Sequence, residues 1–398
     1  MRKPVYLNQL GIVCALGAGR DEVRQALFAK THGGVAPVEE ALPGRVLDLG
    51  RVTVPLSNVE ALPTAWRSRN NAMLLTALAQ IRNEVDSAIA RFGAERVAVV
   101  LGTSTSGIAE AERAMFEHER VGALPGDFHL GQQEMGSPAI ALSWLLGVRG
   151  PAYVISTACS SSAKALASAA RLLRAGFCDV VICGGVDTLC QFTVAGFSAL
   201  DSVSAARCNP MSANREGINI GEGAALFVVS REPGPVRLEG WGESSDAHHI
   251  SAPDPSGRGA LAAMRQALQR AGTMPGEIDY INLHGTATPQ NDAMESVAVH
   301  ALFGSGTPAS STKPLTGHTL GAAGAIEAAI GWLTLNENPQ GYLPPHWWDG
   351  MADAALPVLD LVEPGRRLGR PVRRMLSNSF AFGGSNAALV LAAAGENA

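Results

Sequence analysis

Three side chains in this 398-residue chain have the right types for covalent chemistry on an activated carbonyl. Cys159 sits in Val154-Ile-Ser-Thr-Ala-Cys159-Ser-Ser-Ser-Ala163, where an apolar stretch meets small residues and then a helix-prone run. His284 lies in Tyr280-Ile-Asn-Leu-His284-Gly-Thr-Ala-Thr-Pro289, and His318 in Lys313-Pro-Leu-Thr-Gly-His318-Thr-Leu-Gly321-Ala-Ala-Gly324. Cysteine with histidine is the minimum set for acyl transfer through a thioester. A second histidine adds a hydrogen-bond donor for an oxyanion or an enolate. A thiol at a helix N-terminus meets unpaired N–H groups and the positive dipole end, which favour the thiolate by about one pKa unit. Against this, a lone cysteine is more often packing than chemistry, and a histidine at a strand end is more often structural. The other cysteines, Cys14, Cys178, Cys183, Cys190 and Cys208, lie in or beside apolar runs. They form no C-x-x-C pair and have no histidines at zinc spacing, so no metal site is implied.

These three residues need rigid elements to bring them together. Strand-like runs at Tyr153–Ile155, Val97–Leu101, Val180–Cys183, Ala224–Val229, Ile278–Leu283 and Ala387–Leu391 alternate with helix-like ones at Asn71–Arg91, Ala163–Ala175, Gly259–Ala271 and Ala322–Leu335. That alternation predicts α/β layers rather than a helical bundle. Arg231-Glu-Pro-Gly-Pro235 punctuates the middle, which divides the chain into a half at 1–233 and a half at 234–398. The first half carries the cysteine and the second both histidines.

Composition narrows the class. The chain is 46% hydrophobic and 17% charged, enough for a large core, and its 44 glycines suit many tight strand–helix junctions. A net charge of −5 argues against a general nucleic-acid binder. No apolar run has membrane-spanning length, the N-terminus lacks a signal-like apolar segment, and six scattered cysteines make no disulfide framework. The expectation is a cytoplasmic protein with no membrane or nucleic-acid partner.

Thr157-Ala-Cys-Ser160, His284-Gly-Thr-Ala-Thr288 and Lys313-x-x-x-Gly-His318-x-x-Gly-Ala-Ala-Gly324, in that order, resemble the β-ketoacyl–acyl carrier protein synthases of the Cys-His-His type. The likeness runs from Leu10-Gly-Ile-Val-Cys-Ala-Leu-Gly17 to Asn378-Ser-Phe-Ala-Phe-Gly-Gly-Ser-Asn386. It implies a thiolase-like fold, with two pseudo-duplicated halves forming a layered α-β-α-β-α core. It also implies an acyltransferase that condenses an acyl group held on Cys159 with malonyl–acyl carrier protein and releases carbon dioxide. His284 and His318 then stabilise the enolate, and the backbone N–H groups of Cys159 and Phe382 form the oxyanion hole. By the same likeness Lys313 positions the histidines, and Glu327 pairs with Lys313. Thr286 and Thr288 bind the phosphopantetheine arm, Phe382 gates the site, and Phe197 lies near the acyl tunnel. No cofactor is implied beyond the phosphopantetheine of the carrier protein. The partners implied are the carrier protein and a second related subunit, as a homodimer or a heterodimer.

Two departures bear on specificity. Ala381 replaces the first glycine of the usual Gly-Phe-Gly-Gly-Thr-Asn loop, and Ser385 replaces its threonine. An added Cβ at 381 stiffens the gate if that position needs positive φ. Met211 stands where an aromatic residue is usual. These differences leave open a specialised polyene or polyketide pathway beside housekeeping fatty acid synthesis. Arg67, Arg69 and, more weakly, Arg207 are candidates for docking the acidic carrier protein. The competing readings are a thiolase-type enzyme using coenzyme A thioesters, the catalytic subunit of a heterodimer with a chain-length-factor-like partner, and a non-catalytic factor of that kind. The presence of Cys159 argues against the last.

Overall fold

A computed structural model of the chain describes residues 3–395. The strand-like runs assemble into one twelve-stranded sheet. Its first half contains β1 (Tyr6–Cys14), β2 (Val97–Gly102), β3 (Ala152–Ile155), β4 (Val180–Asp187) and β5 (Gly223–Ser230). Its second half contains β6 (Val236–Ser245), β7 (Tyr280–Asn282), β8 (Pro308–Ser310), β9 (Arg374–Ala381) and β10 (Ser385–Ala393). The spatial order is β1-β5-β4-β2-β3 in one half and β6-β10-β9-β7-β8 in the other. In both, the first two pairings are antiparallel and the last two parallel. The halves meet where β1 pairs with β6 at Tyr6↔Arg237 and Leu7↔Val236. This repeated topology is the pseudo-duplication that the motifs imply. β2 and β4 are buried along their whole length, as strands covered on both faces must be, so their sequences read as unbroken apolar runs.

Helices complete the layers. α1 (Arg69–Ala79) covers β1 and β5, and α3 (Arg258–Ala271) covers β6 and β10. Between the halves, α2 (Ser161–Ala175) packs on α5 (Ala323–Leu335), while α4 (Pro289–Phe303) lies against α3. Every residue of α5 is buried. Such a central layer demands small residues: a Cβ at Gly324 would come within 2.7 Å of the Ala163 nitrogen, and one at Gly102 within 2.3 Å of the Ser162 nitrogen. The helix expected over 71–91 is in fact two, Arg69–Ala79 and Arg82–Phe92. At the break, the Gln80 side-chain amide pairs with both the N–H and the carbonyl of Ile12 on β1, at 2.9 Å each. Among the described residues, no helix is long and apolar enough to cross a membrane.

Candidate active site

Each of the three chemically competent residues follows a parallel strand into the central layer. β3 ends at Ile155, and Ala158 then takes φ 51°, a left-handed conformation unusual for a residue with a Cβ. That turn places Cys159 just before α2. The Ser161 hydroxyl braces it, donating to the Ala158 carbonyl at 2.5 Å and accepting from the Thr157 N–H at 2.9 Å. Leu320, Ala287 and Ser106, in the loops around the site, also have positive φ. Strain of this kind persists only where the surrounding structure over-determines it.

His284 follows β7. Its backbone N–H and that of Gly285 both donate to the Glu295 carboxylate on α4, at 2.8 and 2.7 Å. His318 is fixed by the 219–221 segment, donating its N–H to the Asn219 carbonyl at 2.6 Å and accepting from Gly221 at 2.9 Å. The result is a convergent trio. His318 Nε2 lies 3.0 Å from Cys159 Sγ, and the two imidazoles meet edge to face with centroids 5.3 Å apart. One ligand-type atom from each of the three lies within 4.8 Å of the others. Such a trio has the composition of a soft metal site, but Lys313 puts a positive charge beside it.

Burial governs the electrostatics. The Cys159 thiol is pushed up to about 12 by desolvation, against the pull of Lys313 and of the Phe382 and Cys159 N–H groups. The expected lowering at the helix N-terminus is therefore overturned, because loss of water outweighs the fixed dipoles. Both histidines are held well below their ordinary range, first by burial and then by Lys313. They are neutral at physiological pH. Among the described residues neither Nδ1 has a hydrogen-bond partner, which leaves the proton to Nε2. Lys313 opens a short helical turn, Lys313–Thr316. Its Nζ is 2.5 Å from Glu327 Oε1, with both side chains almost wholly buried. This cation keeps the histidines neutral and favours the thiolate at the same time.

A cavity of about 270 Å³ opens onto the trio. Thr286 and Thr288 line it, with their hydroxyls 3.0 Å apart. Phe197 and Phe382 line another part, their rings 5.5 Å apart. The Phe382 N–H reaches the sulfur, as an oxyanion donor must. Ala381 has φ −107°, so its Cβ causes no strain; the positive φ values fall at Gly383 and Gly384, which are retained. Met211 is buried at φ 64°, its N–H donating to Asp292 at 2.7 Å.

The three docking candidates all bond within the chain. Arg67 donates to the carbonyls of Leu62 and Glu60, at 2.7 and 2.8 Å. Arg69 is bound by the buried Glu222 carboxylate, at 2.5 and 3.1 Å. Arg207 donates to the carbonyls of Pro314 and Val35, at 2.5 and 2.8 Å. Each guanidinium thus bonds to groups of the chain itself, while Arg67 stays exposed and Arg69 half-buried. Sequence reasoning also missed Glu295 and the 219–221 segment. The only signal for Glu295 was a carboxylate on the helix after His284, which reads as a solvated face.

Residues 69–233 match the family model described as "Beta-ketoacyl synthase, N-terminal domain", and residues 236–347 match "Beta-ketoacyl synthase, C-terminal domain". A 3-oxoacyl-[acyl-carrier-protein] synthase 2 from Rhizobium meliloti is 39% identical over 263 residues, a match covering 61% of each chain. The mitochondrial 3-oxoacyl-[acyl-carrier-protein] synthase of Arabidopsis thaliana is 36% identical over 63% of this chain and 58% of its own length. These two matches therefore span about 60% of the relatives' lengths. Nodulation protein E of Rhizobium meliloti is 32% identical over 98% of this chain and 99% of its own. Among solved structures, a ketosynthase from Xenorhabdus doucetiae in complex with its chain length factor superposes with a TM-score of 0.93, at 44% identity and 98% coverage of both chains. With its repeated thiolase-like topology and its buried Cys159, His284 and His318, the chain belongs to the β-ketoacyl synthase family.

Proposed function

We propose that the protein is a decarboxylating 3-oxoacyl–acyl carrier protein synthase. The observation that carries this reading is the shared cavity, in which Cys159 Sγ lies 3.0 Å from His318 Nε2 and beside His284. Cys159 attacks the thioester of an acyl group on carrier protein. The sulfur–carbon bond forms as the bond to the pantetheine sulfur breaks, and the thiol proton passes to the departing thiol. The N–H groups of Cys159 and Phe382 hold the oxyanion. Losing one such donor costs about 10²–10³ in rate in other enzymes.

Malonyl carrier protein then enters past Thr286 and Thr288, whose hydroxyls suit the amides of the arm. Its carboxylate leaves as carbon dioxide, and the electrons of the broken bond form an enolate. The two neutral imidazoles, with protons on Nε2, donate to its oxygen. An imidazolium would instead hold the carboxylate that must leave. The enolate carbon attacks the acyl-cysteine, the bond to Cys159 breaks, the freed thiolate regains a proton from water, and a 3-oxoacyl product two carbons longer departs. Phe382, tilted against Phe197, keeps water from the intermediate. No cofactor is part of this reading, and the cytoplasm is its setting.

A second reading refines the assembly. The likeness to the Xenorhabdus ketosynthase supports a heterodimer in which this chain, with its cysteine, is the catalytic half, in a specialised pathway. The test is intact mass spectrometry after mixing with carrier protein loaded with a panel of acyl groups. The expected result is acyl transfer to Cys159, then carbon dioxide release and a product when malonyl carrier protein is added. A Cys159→Ala variant that still condenses would overturn the mechanism. Activity only when a cysteine-free homologous subunit is co-purified supports the heterodimer.

A further inference from the structure

The nucleophile helix carries a lysine that the chemistry above does not use. Lys164 lies one helical turn beyond Cys159, half-buried, and among the described residues it has no ion-pair partner. Its Nζ donates to Ser385 Oγ at 2.6 Å. Ser385 Oγ is hydrogen-bonded to Ser160 Oγ at 3.0 Å, and Ser160 Oγ reaches the Thr157 carbonyl at 2.9 Å. Thr157 and Ser160 flank the strained Ala158–Cys159 turn. Ser385 opens β10, immediately after Phe382-Gly383-Gly384. The chain of bonds thus ties the segment holding one oxyanion donor to the segment holding the other.

The loop needs such a tie. Gly383 and Gly384 both have positive φ and give the backbone wide freedom. One side of the loop is already held, by the Gly383 N–H on the Ile250 carbonyl at 2.7 Å and the Asp246 N–H on the Gly384 carbonyl at 2.9 Å. Lys164 and Ser160 supply the other side. Placing an ammonium there is costly, since burial lowers its pKa. A methionine of similar length would fill the space without that cost.

We propose that Lys164 is a positioning residue for the oxyanion hole. Through Ser385 and Ser160 it fixes the Phe382 N–H relative to the Cys159 N–H, so that both point at one oxygen. The inference rests on the condensing reading above. It separates two half-reactions, because acyl transfer uses these N–H groups whereas malonyl decarboxylation uses His284 and His318.

The test compares wild type with Lys164→Met, Lys164→Arg, Ser385→Ala and the Lys164→Met/Ser385→Ala double variant, each as the complete enzyme. Three readouts are taken: acyl transfer from acyl carrier protein to Cys159, carbon dioxide release from malonyl carrier protein, and the thermal midpoint. Lys164→Met is expected to slow acyl transfer about tenfold at unchanged KM, since a small misplacement of donors is costly. Decarboxylation should stay within about twofold of wild type. Lys164→Arg, which keeps a donor, should recover most of the rate, and the double variant should be no slower than Lys164→Met alone. Wild-type transfer by Lys164→Met overturns the inference, as does parallel loss of both half-reactions or multiplicative effects in the double variant. A wild-type enzyme that performs neither half-reaction overturns the condensing reading itself, and this inference with it.

Discussion

His318 Nε2 sits 3.0 Å from Cys159 Sγ, yet burial pushes both groups toward their neutral forms, the thiol up to about 12 and the imidazole well below its ordinary range. The resting pair is therefore thiol and imidazole, not thiolate and imidazolium. Alkylation of Cys159 by iodoacetamide, followed by intact mass, should accelerate about tenfold per pH unit between pH 7 and 10, because the thiolate fraction rises that way far below the pKa. A plateau beginning below pH 8 would contradict a neutral resting thiol.

Glu295 accepts from the backbone on both sides of the His284 Cα, and burial raises its carboxyl to about 7. Glu295→Ala leaves two buried N–H groups unpaired, at about 1–3 kcal/mol each. Urea unfolding should show a loss of that order, with decarboxylation falling more than acyl transfer as His284 loses its anchor. Glu295→Gln keeps one acceptor and should be milder in both assays.

His346 accepts from the Ser311 N–H at Nδ1 and donates from Nε2 to the Pro210 carbonyl, which fixes it as a neutral tautomer. Burial lowers its pKa from 6.5 to about 4. Because the folded value lies below the unfolded one, its contribution to stability is complete above about pH 6.5 and is lost as pH falls toward 4. From this residue alone, unfolding at pH 5 should require about 2 kcal/mol less than at pH 7.5. His284 and His318 act in the same direction, so a smaller total pH effect would count against buried neutral histidines.

Lys313 and Glu327 form an almost wholly buried ion pair. Removing one partner strands the other, at about 3–5 kcal/mol, whereas replacing both with apolar residues is far less destructive. Glu327→Ala should therefore unfold well before Lys313→Met/Glu327→Leu in a denaturant titration. The double variant should fold and yet lose decarboxylation, since the positive charge beside the histidines has gone.

Arg69 is bound to Glu222. Arg69→Glu puts two carboxylates together over the strand ends. The expected outcome is a lower thermal midpoint and equal loss of activity on carrier-bound and small thioesters. A rise in KM confined to the carrier-bound substrate would instead support Arg69 as a docking residue.

The sequence by itself determined the residue types and their order. Continuous apolar runs such as Val97–Gly102 announced buried strands, because a strand covered on both faces has no polar side to show. Three short motifs, the two histidine ones rich in glycine, carried Cys159, His284 and His318, and Lys313 with Glu327 was legible as a pair from the family likeness. Only the tertiary structure decided the distances, the protonation states and which charges are spent internally. Arginines 67, 69 and 207 look free in a sequence because their partners are mostly backbone carbonyls, which every residue has, or the distant Glu222. The helix-end argument for a reactive thiolate failed for a related reason: a dipole is local and readable from sequence, whereas desolvation depends on the whole surrounding shell. That shell exists only once α2 and α5 have closed on each other between the two halves of the sheet.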